Sequence, residues 1–212
     1  MIVSAFAPLV LIASLALAAP ARAAEPIKLV VFGDSLVAGF GLPASQSFPE
    51  VLQQMLTEKG YDVAVTNAGV SGDTASAGLA RLDWSVPDGT QGVILELGAN
   101  DMLRGVDPAV TKDALEKIIN RLKERNIPVL LAGMLAAPNL GADYTARFNA
   151  IYPDLAREHG LILYPFFLDG VAGNTSLNQP DGLHPKPEGV RRIATAMLPT
   201  VEKFVASLAP AH

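Results

Sequence analysis

The sequence predicts an α/β fold: a mostly parallel sheet with helices packed on both of its faces. Two observations predict it. Short runs of β-branched and apolar residues alternate with longer stretches of helical spacing from residue 27 onward, and strict βαβα order joins parallel neighbours by right-handed crossovers. Each apolar run gives way to glycine, asparagine or aspartate, which gathers the polar loops at the carboxyl edge of the sheet. With 212 residues, half of them hydrophobic, and no repeat or linker, one domain with a full core is expected.

The chain opens on residues 2–19, which are uncharged and mostly Ala, Leu, Ile and Val. Ala21-Arg22-Ala23 follows as a small-x-small cleavage pattern. Residues 1–23 therefore read as a signal peptide and 24–212 as a single exported domain, periplasmic or secreted. Because no Lys or Arg precedes the run, a retained membrane anchor is the competing reading; the run is barely long enough to span and contains Pro8.

Strands are predicted at residues 27–32, 63–67, 92–97, 127–132 and 161–164. They are too short and too β-branched for helices. Between the first two, Ser47-Phe48-Pro49-Glu50 reads as a capping box, with Val51, Leu52, Met55 and Leu56 on one face and Gly60 as the stop. Asp107-Pro108 opens a helix whose Ala114, Leu115, Ile118, Ile119 and Leu122 form the buried stripe. Tyr144, Phe148, Ile151 and Leu155 mark the next helix, and Val190, Ile193, Ala194, Met197, Val201 and Phe204 the last, with kinks expected at Pro153 and Pro199.

Composition excludes several functions. Sixteen basic against twenty-one acidic residues, without a basic cluster, argue against nucleic acid or an anionic membrane as partner. Cysteine is absent. That removes a thiol nucleophile, disulfides, Cys-based metal sites and a Cys-linked lipid anchor.

The residues beyond each strand carry the chemistry. Ser35 follows the first, Gly69-Val70-Ser71-Gly72-Asp73-Thr74 the second, Gly98-Ala99-Asn100-Asp101 the third, and a long loop after the fifth reaches Asp181-Gly182-Leu183-His184-Pro185. A serine hydroxyl needs a base to take its proton, and the base needs a third group to fix its tautomer. His184 is the one histidine on this edge, since His159 precedes a helix-stopping Gly160 and His212 is the chain end. Asp181, three residues earlier, reaches Nδ1 if the segment turns. The backbone N–H groups of Ser35 and Gly72 and the side-chain amide of Asn100 would then supply an oxyanion hole. Each residue also has a plainer reading: Ser35 and Asn100 as helix caps, Gly72 and the Asp181 segment as turns. Their coincidence at one edge favours catalysis.

Gly33-Asp34-Ser35-Leu36, Ser71-Gly72-Asp73-Thr74, Gly98-Ala99-Asn100-Asp101 and Asp181-Gly182-Leu183-His184-Pro185 resemble the four blocks of the SGNH, or GDSL, hydrolases. Gly78-Leu79-Ala80-Arg81-Leu82, Ile151-Tyr152-Pro153-Asp154-Leu155-Ala156 and Pro165-Phe166-Phe167 are similar to the periplasmic thioesterase I, lysophospholipase and arylesterase branch. The resemblance covers essentially all of residues 24–212. It implies a flavodoxin-like three-layer sandwich with five parallel strands ordered 2-1-3-4-5, no metal and no cofactor. It also implies Ser35, Gly72, Asn100 and His184 at the family's name-giving positions and Asp181 as the acid. Ala99 departs from it, standing where this branch usually has glycine.

Other readings fit less well. Gly39-Phe40-Gly41-Leu42-Pro43-Ala44 matches a dinucleotide fingerprint as a string but starts seven residues after the strand, and Asn67 stands where an acidic residue belongs. No Gly-x-Ser-x-Gly elbow occurs. A noncatalytic binding domain of this fold would not need the Ser35, Asp181 and His184 trio. Leu36, Leu103, Leu135 and Phe166 are the candidate substrate contacts, with Phe40, Met134, Leu140 and Phe167 on loops of the same edge. Residues 102–106, containing Gly105, are a candidate loop over the substrate. The expectation is an exported monomeric esterase or thioesterase acting on small-molecule acyl esters, thioesters, aryl esters or lysophospholipids, without stable membrane insertion once the signal is removed. The alternative is a carbohydrate acetylesterase.

Overall fold

The computed structural model describes residues 25–208. β1 (Ile27–Gly33), β2 (Val63–Gly69), β3 (Gly92–Glu96), β4 (Val129–Ala132) and β5 (Ile162–Tyr164) form one parallel sheet. Its order is β2-β1-β3-β4-β5. From β1 the chain first goes outward to β2 and then crosses back to β3, so the loops leaving β1 and β3 diverge and open a crevice between them. The doubly wound sheet is the one the sequence predicts.

The helices are α1 (Ser35–Ala38), α2 (Phe48–Glu58), α3 (Ala75–Ser85), α4 (Ala99–Leu103), α5 (Pro108–Glu124), α6 (Ala142–His159) and α7 (Pro187–Leu208). They cover both faces of the sheet. β3 and β4 are buried along their whole length and β1 from Leu29 onward, which is why they read as nearly unbroken apolar runs. β2 lies at the edge and carries exposed Thr66 and Asn67. Phe32, Phe48, Phe148, Tyr152, Phe167 and Phe204 are the largest fully buried side chains of the single core.

Several boundaries differ from expectation. β2 runs on to Gly69 because its ladder pairs residue for residue with β1, ending at Gly33 opposite Gly69. Ile127 lies before β4, its N–H closing the end of α5 on the Leu122 carbonyl at 2.9 Å. The capping box does not form. Ser47 precedes α2, but its side chain makes no cap hydrogen bond; it is fully buried against Gly39, and its Oγ has no partner. α6 and α7 each continue as one helix across Pro153 and Pro199.

Gly33 is fixed by close approach. A Cβ there would meet the Glu96 carbonyl and Val37, so only glycine lets β1 end against β3 and turn at once into α1. The predicted signal peptide or anchor lies outside the described residues. Among those residues no helix is long and apolar enough to cross a membrane.

Candidate active site

Asp34 caps α1, its Oδ1 accepting the Leu36 N–H at 2.9 Å, and Ser35 is the first residue of that helix. The turn places Ser35 Oγ at the crevice beside β3. From the loop after β5, His184 presents Nε2 at 2.9 Å from Ser35 Oγ. Its Nδ1 lies 2.7 Å from Asp181 Oδ2.

The four-residue turn predicted for Asp-x-x-His is the one observed. Asp181 Oδ1 accepts the backbone N–H of Leu183 at 2.9 Å and of His184 at 3.0 Å, leaving Oδ2 for the imidazole. These backbone donors first, and the His184 ring after them, lower the Asp181 carboxyl to about 2. It is therefore ionised at neutral pH. An ionised carboxylate only accepts, so Nδ1 carries the proton and Nε2 of the neutral ring is free to accept the serine hydroxyl.

The ring is held from a second side. Phe40 packs against His184 with centroids 4.5 Å apart at 37°. Gln179 fastens the two loops: its Nε2 donates to the Phe40 carbonyl at 2.7 Å and to the Pro185 carbonyl at 3.1 Å, and its N–H donates to the His184 carbonyl at 2.7 Å.

Asn100 lies in α4 and donates from Nδ2 to Asp34 Oδ2 at 3.0 Å. Gly72, in the loop after β2, has φ of 89°, a left-handed conformation that favours glycine. Its carbonyl accepts from Arg104 Nη2 at 2.8 Å. Below this loop the buried Arg81 donates to Asp73, to the Ala68 carbonyl at 3.0 Å and to the Gly33 carbonyl at 2.8 Å. One guanidinium thus ties the ends of β1 and β2 to the Gly72 loop.

Glu96, the last residue of β3, is fully buried beneath the turn at Asp34. Its Oε2 accepts the Asp34 N–H at 3.4 Å, and its Oε1 has no partner. Burial, reinforced by the neighbouring Asp34, pushes the Glu96 carboxyl well above the usual carboxylate range. Asp34 is raised to about 6, burial outweighing the Leu36 N–H, the Asn100 amide and His184. Asp101, also fully buried, is raised by burial while it accepts from Ala75 N–H at 2.8 Å and Thr111 Oγ1 at 3.1 Å.

A cavity of about 540 Å³ opens beside Ser35, Asn100 and His184. All four predicted contacts, Leu36, Leu103, Leu135 and Phe166, line it, and Met134 does too. Phe40, Leu140 and Phe167 are not part of its wall; Phe167 is core, edge-on to Phe48 at 4.9 Å. Gly72 also stands outside the lining. Ala136, Ala137 and Pro138, in the loop after β4, also line the cavity and carry no sequence signal, being small residues in an irregular segment.

The GDSL-like Lipase/Acylhydrolase family model matches residues 31–192. The chain belongs to this family. A Vibrio mimicus protein named arylesterase is 43% identical to this GDSL hydrolase over 179 residues, covering 84% of this chain and 88% of the relative. An Escherichia coli K12 protein named thioesterase 1/protease 1/lysophospholipase L1 is 37% identical over 185 residues, covering 87% and 88%. Among solved structures, that of TesA is similar with a TM-score of 0.79 at 38% identity, covering 83% of this chain and 98% of that one. AlinE4, described as an SGNH-hydrolase family esterase, has a TM-score of 0.73 at 43% identity, covering 86% and 98%. In this GDSL hydrolase the one candidate metal cluster among the described residues, Glu116, Glu158 and His159, lies on α5 and α6, apart from Ser35. Lys123 Nζ already occupies His159 Nδ1 at 3.1 Å.

Proposed function

We propose that this hydrolase is exported and cleaves acyl esters or thioesters with medium to long acyl groups through an acyl-enzyme on Ser35. The observation that carries the reading is the hydrogen-bonded line Asp181–His184–Ser35 at the mouth of an apolar cavity. Ser35 Oγ attacks the acyl carbonyl and passes its proton to His184 Nε2, while ionised Asp181 stabilises the imidazolium. The carbonyl oxygen gains charge among the N–H groups of Ser35, Gly72 and Asn100. Collapse expels the alcohol or thiol, which takes the proton from Nε2. Water then repeats the sequence on the acyl-serine, releasing the acid and restoring both residues.

Substrate preference follows from the wall. Leu36, Met102, Leu103, Met134, Leu135 and Phe166 offer an acyl chain dispersion contacts and release from water, each buried methylene contributing about 0.8 kcal/mol. Ala99 also lines the cavity, its methyl narrowing the wall next to Asn100. Export rests on the Ala21-Arg22-Ala23 pattern, and the mature chain is taken to start near Ala24 and to act as a monomer.

Two measurements test the proposal. A fluorophosphonate should label one serine stoichiometrically, mapped to Ser35, and the Ser35→Ala variant should remain folded and unlabelled; an adduct on another serine overturns the mechanism. On a chain-length series of p-nitrophenyl and acyl-CoA substrates, rates should rise from acetyl to longer acyl groups. A marked preference for acetyl groups on sugars would favour the carbohydrate acetylesterase reading instead.

A further inference from the structure

The primary amide of Asn100 has two N–H bonds, and the proposed mechanism needs one of them for the oxyanion. The other is already committed to Asp34 Oδ2 at 3.0 Å. This contact decides which end of the amide faces the reacting carbonyl. Rotated by half a turn, Asn100 would set its own carbonyl oxygen against the Asp34 carboxylate and aim an acceptor, rather than a donor, at the developing oxyanion. A partner that can only accept forbids that state.

Asp34 is such a partner only while ionised. Both of its oxygens accept, one from Leu36 N–H and one from Asn100, and neither contact uses a carboxyl proton. The adjacent Glu96 has a single long contact of 3.4 Å and one oxygen with no partner. Two carboxyl groups in one buried space do not both ionise readily. The proton therefore resides on Glu96, and the charge on Asp34, where donors meet it.

We propose that Asp34 is a positioning residue: as an accept-only group it locks the side chain of Asn100 so that its second N–H points at the oxyanion. The proposal rests on the reading of Asn100 as an oxyanion donor. It extends the role of Asp34 beyond capping α1, since a cap requires only Oδ1.

Asp34→Asn separates the two roles. Asparagine caps helices as well as aspartate does, so α1 stays in place, but its new NH2 group faces Asn100 and can bond the rotated amide through the Asn100 carbonyl oxygen. Loss of one oxyanion donor lowers kcat by about 10² to 10³. Asn100→Ala should show that loss with KM within about twofold, and Asp34→Asn should lower kcat by about tenfold or more, up to the same limit, with KM again held. In the double variant the second substitution should change kcat by less than about threefold, because Asp34 acts through a group no longer present. Wild-type kcat in Asp34→Asn, or losses that multiply in the double variant, overturns the positioning role. Wild-type kcat in Asn100→Ala alone instead removes Asn100 from the oxyanion hole, and the positioning proposal with it, so the two failures are told apart by that single variant.

Discussion

Asparagine at position 34 keeps the shape of the side chain and its ability to cap α1, but it removes a charge that burial penalises. The Asp34 carboxyl is raised from 3.8 to about 6, with desolvation as the first cause. Each unit corresponds to about 1.36 kcal/mol between protonation states, so the ionised side chain costs the fold about 3 kcal/mol relative to the protonated one. The sign follows from the direction. For an acid raised on folding, the stabilisation is full below 3.8 and is lost as pH rises through 6. Asp34→Asn carries no such cost at any pH, and its amide exchanges the bond to Asn100 Nδ2 for one to the rotated Asn100 carbonyl oxygen. The variant should therefore be more stable than the parent by about 3 kcal/mol near pH 7.5 and close to the parent near pH 3.5. Urea unfolding of both proteins at both pH values, comparing midpoints at equal m, measures this. Asp83, Asp107 and Asp181, lowered by their donors, occur in both proteins and cancel in the difference; Glu96, which the Asp34 charge helps to raise, is relieved in the variant and shifts the difference in the same direction. A stability difference that does not vary with pH would refute the reasoning, because it would mean that Asp34 does not titrate between the two conditions.

Three further outcomes are expected. Asp181→Asn should lower kcat by about 10⁴ with the fold intact, because an amide NH2 facing Nδ1 selects the tautomer whose Nε2 cannot accept the Ser35 proton; a loss below tenfold in ester hydrolysis would refute the orienting role. Phe166→Ala should lower kcat/KM for an octanoyl ester by about 10- to 100-fold, equivalent to about 1.5–3 kcal/mol of side-chain contact, while sparing an acetyl ester; equal losses on both would place Phe166 outside the acyl site. Glu96→Gln should leave unfolding free energy less sensitive to alkali than the parent's, since Glu96, raised well above the carboxylate range, loses its folded-state advantage as pH climbs through that raised value; identical alkaline slopes in urea titrations would show that Glu96 does not hold the proton.

The parts of the fold written in local patterns were legible, and those written in distant contacts were not. Alternation of apolar runs with helical spacing located five strands, and the residues after them named the Ser35, His184 and Asp181 cluster, because the turn Asp181–His184 closes within four residues. Ser47 misled for the opposite reason. Its capping-box spacing is right, but close packing against Gly39 claims the side chain. Glu96 reads as one member of a buried strand, since its meaning depends on Asp34, 62 positions away. Arg81 likewise reads as one charge in a helix, and only its bonds to Gly33, Ala68 and Asp73 show it fastening two strand ends. Phe40 lies in the segment between α1 and α2, with nothing in the local pattern to announce the His184 ring against which it packs.

The two halves of the site are built to different standards. On the polar side, Ser35, Asn100 and the Gly72 loop are tied to strand ends and to one another through Asp34, Glu96, Arg81 and Arg104. In the proposed mechanism a displacement there costs catalysis directly, since donors must meet an oxygen whose charge develops only in the transition state. On the apolar side the wall includes Leu103, Leu135 and Leu183, which remain 52%, 41% and 47% exposed and sit at the end of α4 after β3 and on the loops after β4 and β5. These side chains make no hydrogen bond that catalysis depends on, and apolar contacts tolerate changes of shape better than directional bonds do. On the proposed reading, substitution among them shifts the preferred acyl group while Ser35, His184 and Asp181 stay where the strands hold them. The proposed positioning role sets a use for the Asp34 carboxylate against its cost to stability: it belongs to the half in which direction matters, and an amide of the same size would stabilise the fold while releasing Asn100 to turn the wrong way.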